Sequence, residues 1–95
     1  MSVGTKIVEL AAAYRMETAA TLSELIRIES YSGKEEKIVR RIFEMCGDYG
    51  FDDVRIDGLG NVIAKVGSGS KILAIDAHVD TVGTGDPAQW NRDPF

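Results

Sequence analysis

The chain contains one histidine, and it lies in the segment Asp76-Ala-His78-Val-Asp80-Thr-Val-Gly83 with an aspartate two positions on. Side chains alternate along an extended backbone, so His78 and Asp80 are expected on the same side. That spacing suits a carboxylate supporting a metal-ligating imidazole. A histidine that binds zinc usually gives its other ring N–H to a carboxylate, which fixes the tautomer and raises the basicity of the ligating nitrogen. Taken alone, the pair has a plainer reading as a hydrogen-bonded structural histidine, because His-x-Asp is short and common. One histidine and one aspartate also fall short of a zinc site, which takes three or four protein ligands. Asp76 resembles a third ligand on paper, but it is read as a strand end hydrogen-bonded to nearby backbone.

The elements that must position this pair are legible in outline. The run Ile72-Leu-Ala-Ile75 is apolar without alternation, the pattern of a strand covered on both faces. The carboxyl end of such a strand is where open α/β sheets place their ligands. Three runs rich in β-branched residues, Val54 to Asp57, Asn61 to Val66 and Lys71 to Asp76, predict three strands. Asp57-Gly-Leu-Gly60 and Gly67-Ser-Gly-Ser70 read as the turns between them.

The first half reads as helical. From about Thr5 to Ile28, apolar residues return at three- and four-residue spacing (Ile7, Leu10, Ala11, Tyr14; then Leu22, Leu25, Ile26). This predicts one long helix, or two broken near Thr18, ended by Ser30-Tyr-Ser-Gly33. A further helix is expected to start from a capping box, with Ser32 as the cap and Glu35 three residues later. Ile38, Val39, Ile42, Phe43, Cys46 and Tyr49 form its apolar stripe, and Gly50 supplies a left-handed end. Cys46 belongs to the stripe and reads as core, not as a reactive thiol. The expected architecture is α/β, with two helices followed by three strands in layers.

Composition bounds the function. At 95 residues the chain is long enough for one small domain, and 44% hydrophobic with 27% charged residues argues against disorder and against a membrane protein. A net charge of −4 provides no basic field, so neither nucleic acid nor a membrane is an expected partner. The apolar stretch Ile7 to Tyr14 is interrupted by Glu9 and has no small-residue cleavage site, so it does not read as a secretory signal. The lone Cys46 cannot form an internal disulfide, and a cytoplasmic location is expected. Ser68 and Ser70 have no base near them in sequence, and Gly67-Ser-Gly69 lacks the lysine of a phosphate loop. Trp90 and Phe95 are read as packing residues, and Asp86-Pro87 and Asp93-Pro94 as turns or extended chain.

The longer strings carry a resemblance. Gly60-Asn-Val-Ile-Ala64, then Ile72-Leu-Ala-Ile-Asp-Ala-His-Val-Asp-Thr-Val-Gly83, then Trp90-Asn-Arg-Asp-Pro-Phe95 resembles the superfamily of aminoacylases, zinc carboxypeptidases, acetylornithine deacetylases and succinyl-diaminopimelate desuccinylases. A helical start, a Gly-Asn hairpin, an apolar strand, His-x-Asp-x-Val and Trp-x-x-Asp-Pro-Phe occur here in the family's order. The string Asp76 to Phe95, including Gly85-Asp86-Pro87, looks closest to a branch of hydrolases linked to selenium metabolism.

The resemblance implies that residues 1–95 are the amino-terminal part of a three-layer, zinc-peptidase-like catalytic domain. It implies that His78 ligates one of two zinc ions and that Asp80 is the catalytic carboxylate orienting it. Cobalt or manganese would also suit such ligands. The implied reaction is hydrolysis of an amide or peptide-like bond, with an acylated amino acid or peptide as substrate and a metal-bridged water as nucleophile. The family's other ligands and its general-base glutamate have no counterpart up to Phe95. Nor does its lid domain, which often mediates homodimer formation. A fragment that is inactive alone is therefore expected. The alternatives are a small α/β interaction module without catalysis, or an inactive truncation product.

Overall fold

The computed structural model describes residues 2–95. Ser2 caps the first helix, its hydroxyl accepting from the Thr5 N–H, so α1 (Val3–Ala13) starts two residues earlier than the apolar spacing predicts. Helix α2 (Arg15–Ile26) follows almost without interruption. The break falls at Tyr14, not near Thr18. The Tyr14 N–H still donates to the Leu10 carbonyl and its own carbonyl accepts from Thr18, so helical hydrogen bonds run through the junction. None of the residues of α1 is buried, and its apolar side chains Ile7, Val8 and Leu10 are exposed.

The predicted capping box does not form. Residues 31–34 close a tight turn, the Lys34 N–H donating to the Tyr31 carbonyl, with Gly33 at φ +83°. This turn takes Ser32 as a corner residue. The Glu35 carboxylate instead accepts from the Gly33 N–H at 2.8 Å, and α3 (Glu36–Asp48) begins after Glu35. The other end follows the sequence. Gly50 has φ +78°, its N–H reaches the Gly47 carbonyl, and the Phe51 N–H reaches the Cys46 carbonyl, the paired bonds of a Schellman motif.

Strands β1 (Asp53–Ile56) and β2 (Val62–Lys65) form an antiparallel hairpin with Asp53 opposite Lys65 and Ile56 opposite Val62. Its turn is organised by Asp57, whose carboxylate accepts from the N–H groups of Leu59 and Asn61 and from the Asn61 side-chain amide, at 2.9–3.0 Å. Those bonds hold the Asp57 carboxyl below its ordinary pKa of 3.8, the Asn61 side chain contributing most. Helix α3 lies against both strands. Here sits the core: Ile38 and Met45 are buried, with Val39, Ile42, Cys46, Val54 and Val62 half-buried around them. Burial also pushes the Cys46 thiol up, as befits a packed cysteine. Met45 was absent from the predicted stripe, while Phe43 and Tyr49, which were in it, are exposed. The Tyr49 hydroxyl instead spans to Thr21 and Glu17 on α2, and Arg41 pairs with Glu24 across the same two helices at 2.8 Å.

The third predicted strand is not formed. Residues 71–80 run without a ladder, and Ile72 and Ile75 are 91% and 87% exposed. A strand covered on both faces needs partners on both edges and layers above and below. Among the described residues there are only a two-stranded hairpin and helices packed elsewhere. The result is a small α/β arrangement of three helices and one hairpin, in place of the two helices and three strands expected. Its accessible surface of 8246 Å² exceeds the roughly 5,400 Å² expected of a folded chain this long, and many large apolar side chains stay in water. The radius of gyration, 16.2 Å against about 12 Å for a close-packed domain, says the same.

Candidate metal-ligand segment

The backbone that carries His78 and Asp80 is held at one point. Ser30, in the connection between α2 and α3, is 0% exposed. Its hydroxyl donates to the Val79 carbonyl at 2.8 Å and lies 3.3 Å from the Thr81 hydroxyl. The Thr81 N–H in turn donates to the Ser30 carbonyl at 2.8 Å, and Tyr31 and Thr81 form an isolated parallel bridge. Residues 79 and 81 thus turn their backbone groups toward the α2–α3 connection, as alternate residues of an extended chain do. The segment is extended here without belonging to a sheet.

Extension puts His78 and Asp80 on one side, as their spacing predicts. His78 Nδ1 is 2.9 Å from Asp80 Oδ1 and 3.1 Å from the Asp80 carbonyl oxygen. Two acceptors around Nδ1 favour the tautomer in which Nδ1 carries the hydrogen. The lone pair is then on Nε2, and the imidazole is 84% exposed, so that nitrogen is open to a ligand. This is the state in which a histidine binds a divalent metal. The pair fits the role of one ligand and its orienting carboxylate, but not a complete site. Among the described residues no group of three or more histidine, cysteine, aspartate or glutamate side chains is placed to hold a metal ion.

Other residues singled out in the sequence sit apart from the pair. Asp76 is exposed and makes no side-chain hydrogen bond among the described residues, so the expected strand-end bond is not formed. The reason is the missing strand, which would have brought backbone donors near it. The Trp90 indole N–H donates to the Thr84 carbonyl at 2.8 Å while its ring stays half exposed. Asp86 caps a single 3-10 turn, Pro87–Gln89, and Asp93 accepts from the Phe95 N–H. A broad open cleft of about 1550 Å³ runs along the α2–α3 connection, the outer face of α3 and the hairpin turn, with Tyr31, Phe43, Ile56 and Phe95 in its lining, and neither His78 nor Asp80 lines it. No helix is long and apolar enough to cross a membrane among the described residues.

Sequence reasoning missed Ser30 and Thr81. Ser30 read as the punctuation that ends a helix, and Thr81 as filler in a motif. A serine just past a helix gives no local sign of a partner 51 positions away.

Comparison with known proteins places similar sequences around this segment. The chain is 40% identical to the uncharacterized protein YgeY of Escherichia coli K12 over 89 residues, covering 94% of this chain and 22% of that protein. It is 30% identical over 77 residues to a probable succinyl-diaminopimelate desuccinylase of Staphylococcus epidermidis, covering 78% of this chain and 19% of that protein. It is 31% identical over 81 residues to the succinyl-diaminopimelate desuccinylase of Herminiimonas arsenicoxydans, covering 83% and 22%. The chain thus spans about a fifth of the length of the curated relatives it matches. No family model matches it, and no solved structure does. Across most of its length the chain is similar to one stretch of proteins named for desuccinylation.

Proposed function

We propose that this chain supplies the first metal ligand, His78, and the orienting carboxylate, Asp80, of a metal-dependent hydrolase that cleaves the amide bond of an acylated amino acid or peptide. The observation that carries the reading is the contact between His78 Nδ1 and Asp80 Oδ1, which leaves Nε2 open. Similarity to desuccinylases along 77–81 residues supports the reaction class. Zinc is the proposed metal, with cobalt or manganese as chemical equivalents. A pair of such ions would activate water and polarise the amide carbonyl. The chain's own contribution is narrower. Asp80 holds the imidazole in one tautomer and one orientation, and its negative charge strengthens Nε2 as a donor to a cation. The remaining ligands and the proton-transferring base would come from outside residues 1–95, in the rest of a catalytic domain. The proposal includes a cytoplasmic setting, in keeping with a lone, half-buried Cys46, and a homodimer of the whole enzyme.

The test uses the product of the reading frame that encodes this chain, read through to its stop. Metal content and release of succinate or acetate from N-acylated amino acids are measured for the wild type, His78→Ala and Asp80→Asn. The expected result is loss of a metal equivalent and of activity with His78→Ala. Asp80→Asn should cost about 10- to 100-fold in metal affinity or activity. Unchanged metal content and turnover in His78→Ala would overturn the proposal.

A further inference from the structure

We infer that Ser30 is a positioning residue for the His78–Asp80 pair, acting through the backbone of Val79 and Thr81. The inference deepens the functional reading above and rests on it. Ser30 is the one buried polar residue among the described residues, and its hydrogen bonds to the far side of the chain fall on the two residues that flank Asp80. Val79 lies between His78 and Asp80, and Thr81 follows directly. Fixing the Val79 carbonyl and the Thr81 N–H sets the backbone torsions on either side of Asp80. Those torsions decide whether Oδ1 reaches Nδ1.

The segment has few other supports. Residues 71–78 are exposed throughout, and neither a ladder nor a helix holds them. The contact between His78 and Asp80 is itself mostly in water, where such a pair is too weak to order a chain. The buried hydroxyl is different. Its bond to the Val79 carbonyl is part-buried and comes from a side chain that is itself fully buried, so without the hydroxyl that carbonyl would lose its protein partner there. The order therefore runs from the buried serine to the exposed pair, and the loop between two helices becomes part of a site about fifty residues downstream.

The experiment is nitrogen-15 NMR on the full chain at a pH where His78 is neutral, comparing the wild type with Ser30→Ala, Ser30→Thr and Asp80→Asn. Ring nitrogen shifts report the tautomer. The wild type is expected to hold its hydrogen on Nδ1, and Asp80→Asn to relax toward the free-imidazole mixture. Ser30→Ala should move His78 toward the Asp80→Asn value and speed exchange of the Thr81 amide about ten-fold or more. Resonances of α3 and the hairpin should stay in place. Ser30→Thr, which keeps the hydroxyl, should restore the wild-type tautomer. A His78 tautomer that is the same in Ser30→Ala as in the wild type would overturn the inference. So would loss of the α3 and hairpin resonances along with it, since Ser30 would then support the fold at large. A zinc titration of the whole reading-frame product, which supplies the other ligands, separates the two levels: His78 signals that ignore zinc there would sink the ligand reading, and the functional sense of the clamp with it, whatever the tautomer does.

Discussion

Two regions of this chain, the α3–hairpin unit and the segment from residue 67 to 81, contain similar densities of apolar residues and end in opposite states. In the first, Ile38 and Met45 are buried and the strands pair residue by residue. In the second, Ile72, Leu73 and Ile75 stand open to water, and among the described residues the tertiary holds are one at each end, the Gly67 N–H on the Asp52 carboxylate and the bonds at Ser30. The difference is not hydrophobicity. A helix closes its own backbone hydrogen bonds and a hairpin closes them with its neighbour in sequence, so both form from nearby residues. A buried parallel-type strand has no such local partner, and its apolar character becomes useful only when other elements bring edges and layers to it.

Substitutions should separate the two regions sharply. The largest effect is expected in the core of the first: Ile38→Ala should cost about 2–5 kcal/mol in a denaturant melt, whereas Ile72→Ala should fall within about 0.5 kcal/mol. Equal costs would mean that residues 71–76 are as packed as α3. Next comes the end of α3. Gly50→Ala places a side chain at φ +78° with open space around it, so its cost is backbone alone, about 1–2 kcal/mol in the same melt. Hydrogen exchange should then show α3 and hairpin amides protected and those of residues 71–77 exchanging fast, with the Thr81 amide slower than its neighbours.

Acid gives a smaller effect with a definite sign. The Asp57 carboxyl titrates lower in the folded hairpin than in the unfolded chain, so its contribution is fully present above the unfolded value near 3.8. It is lost as pH falls through the lower folded value. Hairpin amide signals should therefore weaken below about pH 4 in the wild type, and Asp57→Ala should remove that dependence. The smallest effect belongs to Arg41 and Glu24. Their pairing raises the Arg41 pKa, chiefly through the hydrogen bond to Glu24, but both side chains remain partly exposed. Arg41→Gln should change the melt marginally, and less still in high salt.

What could be read in advance follows the same division. The stripe on α3, its glycine terminus and the hairpin between β-branched runs were all legible, because each depends on contacts within a few residues. The break at Tyr14, the lost capping box at Ser32 and the exposure of Phe43 were not. A tight turn at residues 31–34 competed with the cap, and the face of α3 that meets the hairpin is fixed by where the strands lie. The candidate site divides likewise. That His78 and Asp80 share one side was legible from their spacing, and the 2.9 Å contact is a consequence of alternation along an extended chain.

Local sequence suffices for the elements that close their own hydrogen bonds, and for an imidazole and a carboxylate to share one side of an extended chain. Long-range packing sets the rest: α3 turns Ile38 and Met45 inward, residues 71–76 stay unpaired, and a buried serine after α2 holds the backbone between His78 and Asp80. Local periodicity records which residues can face together. It does not record which distant backbone group a hydroxyl will meet, because that partner is chosen by chain closure over some fifty residues and leaves no mark in the spacing.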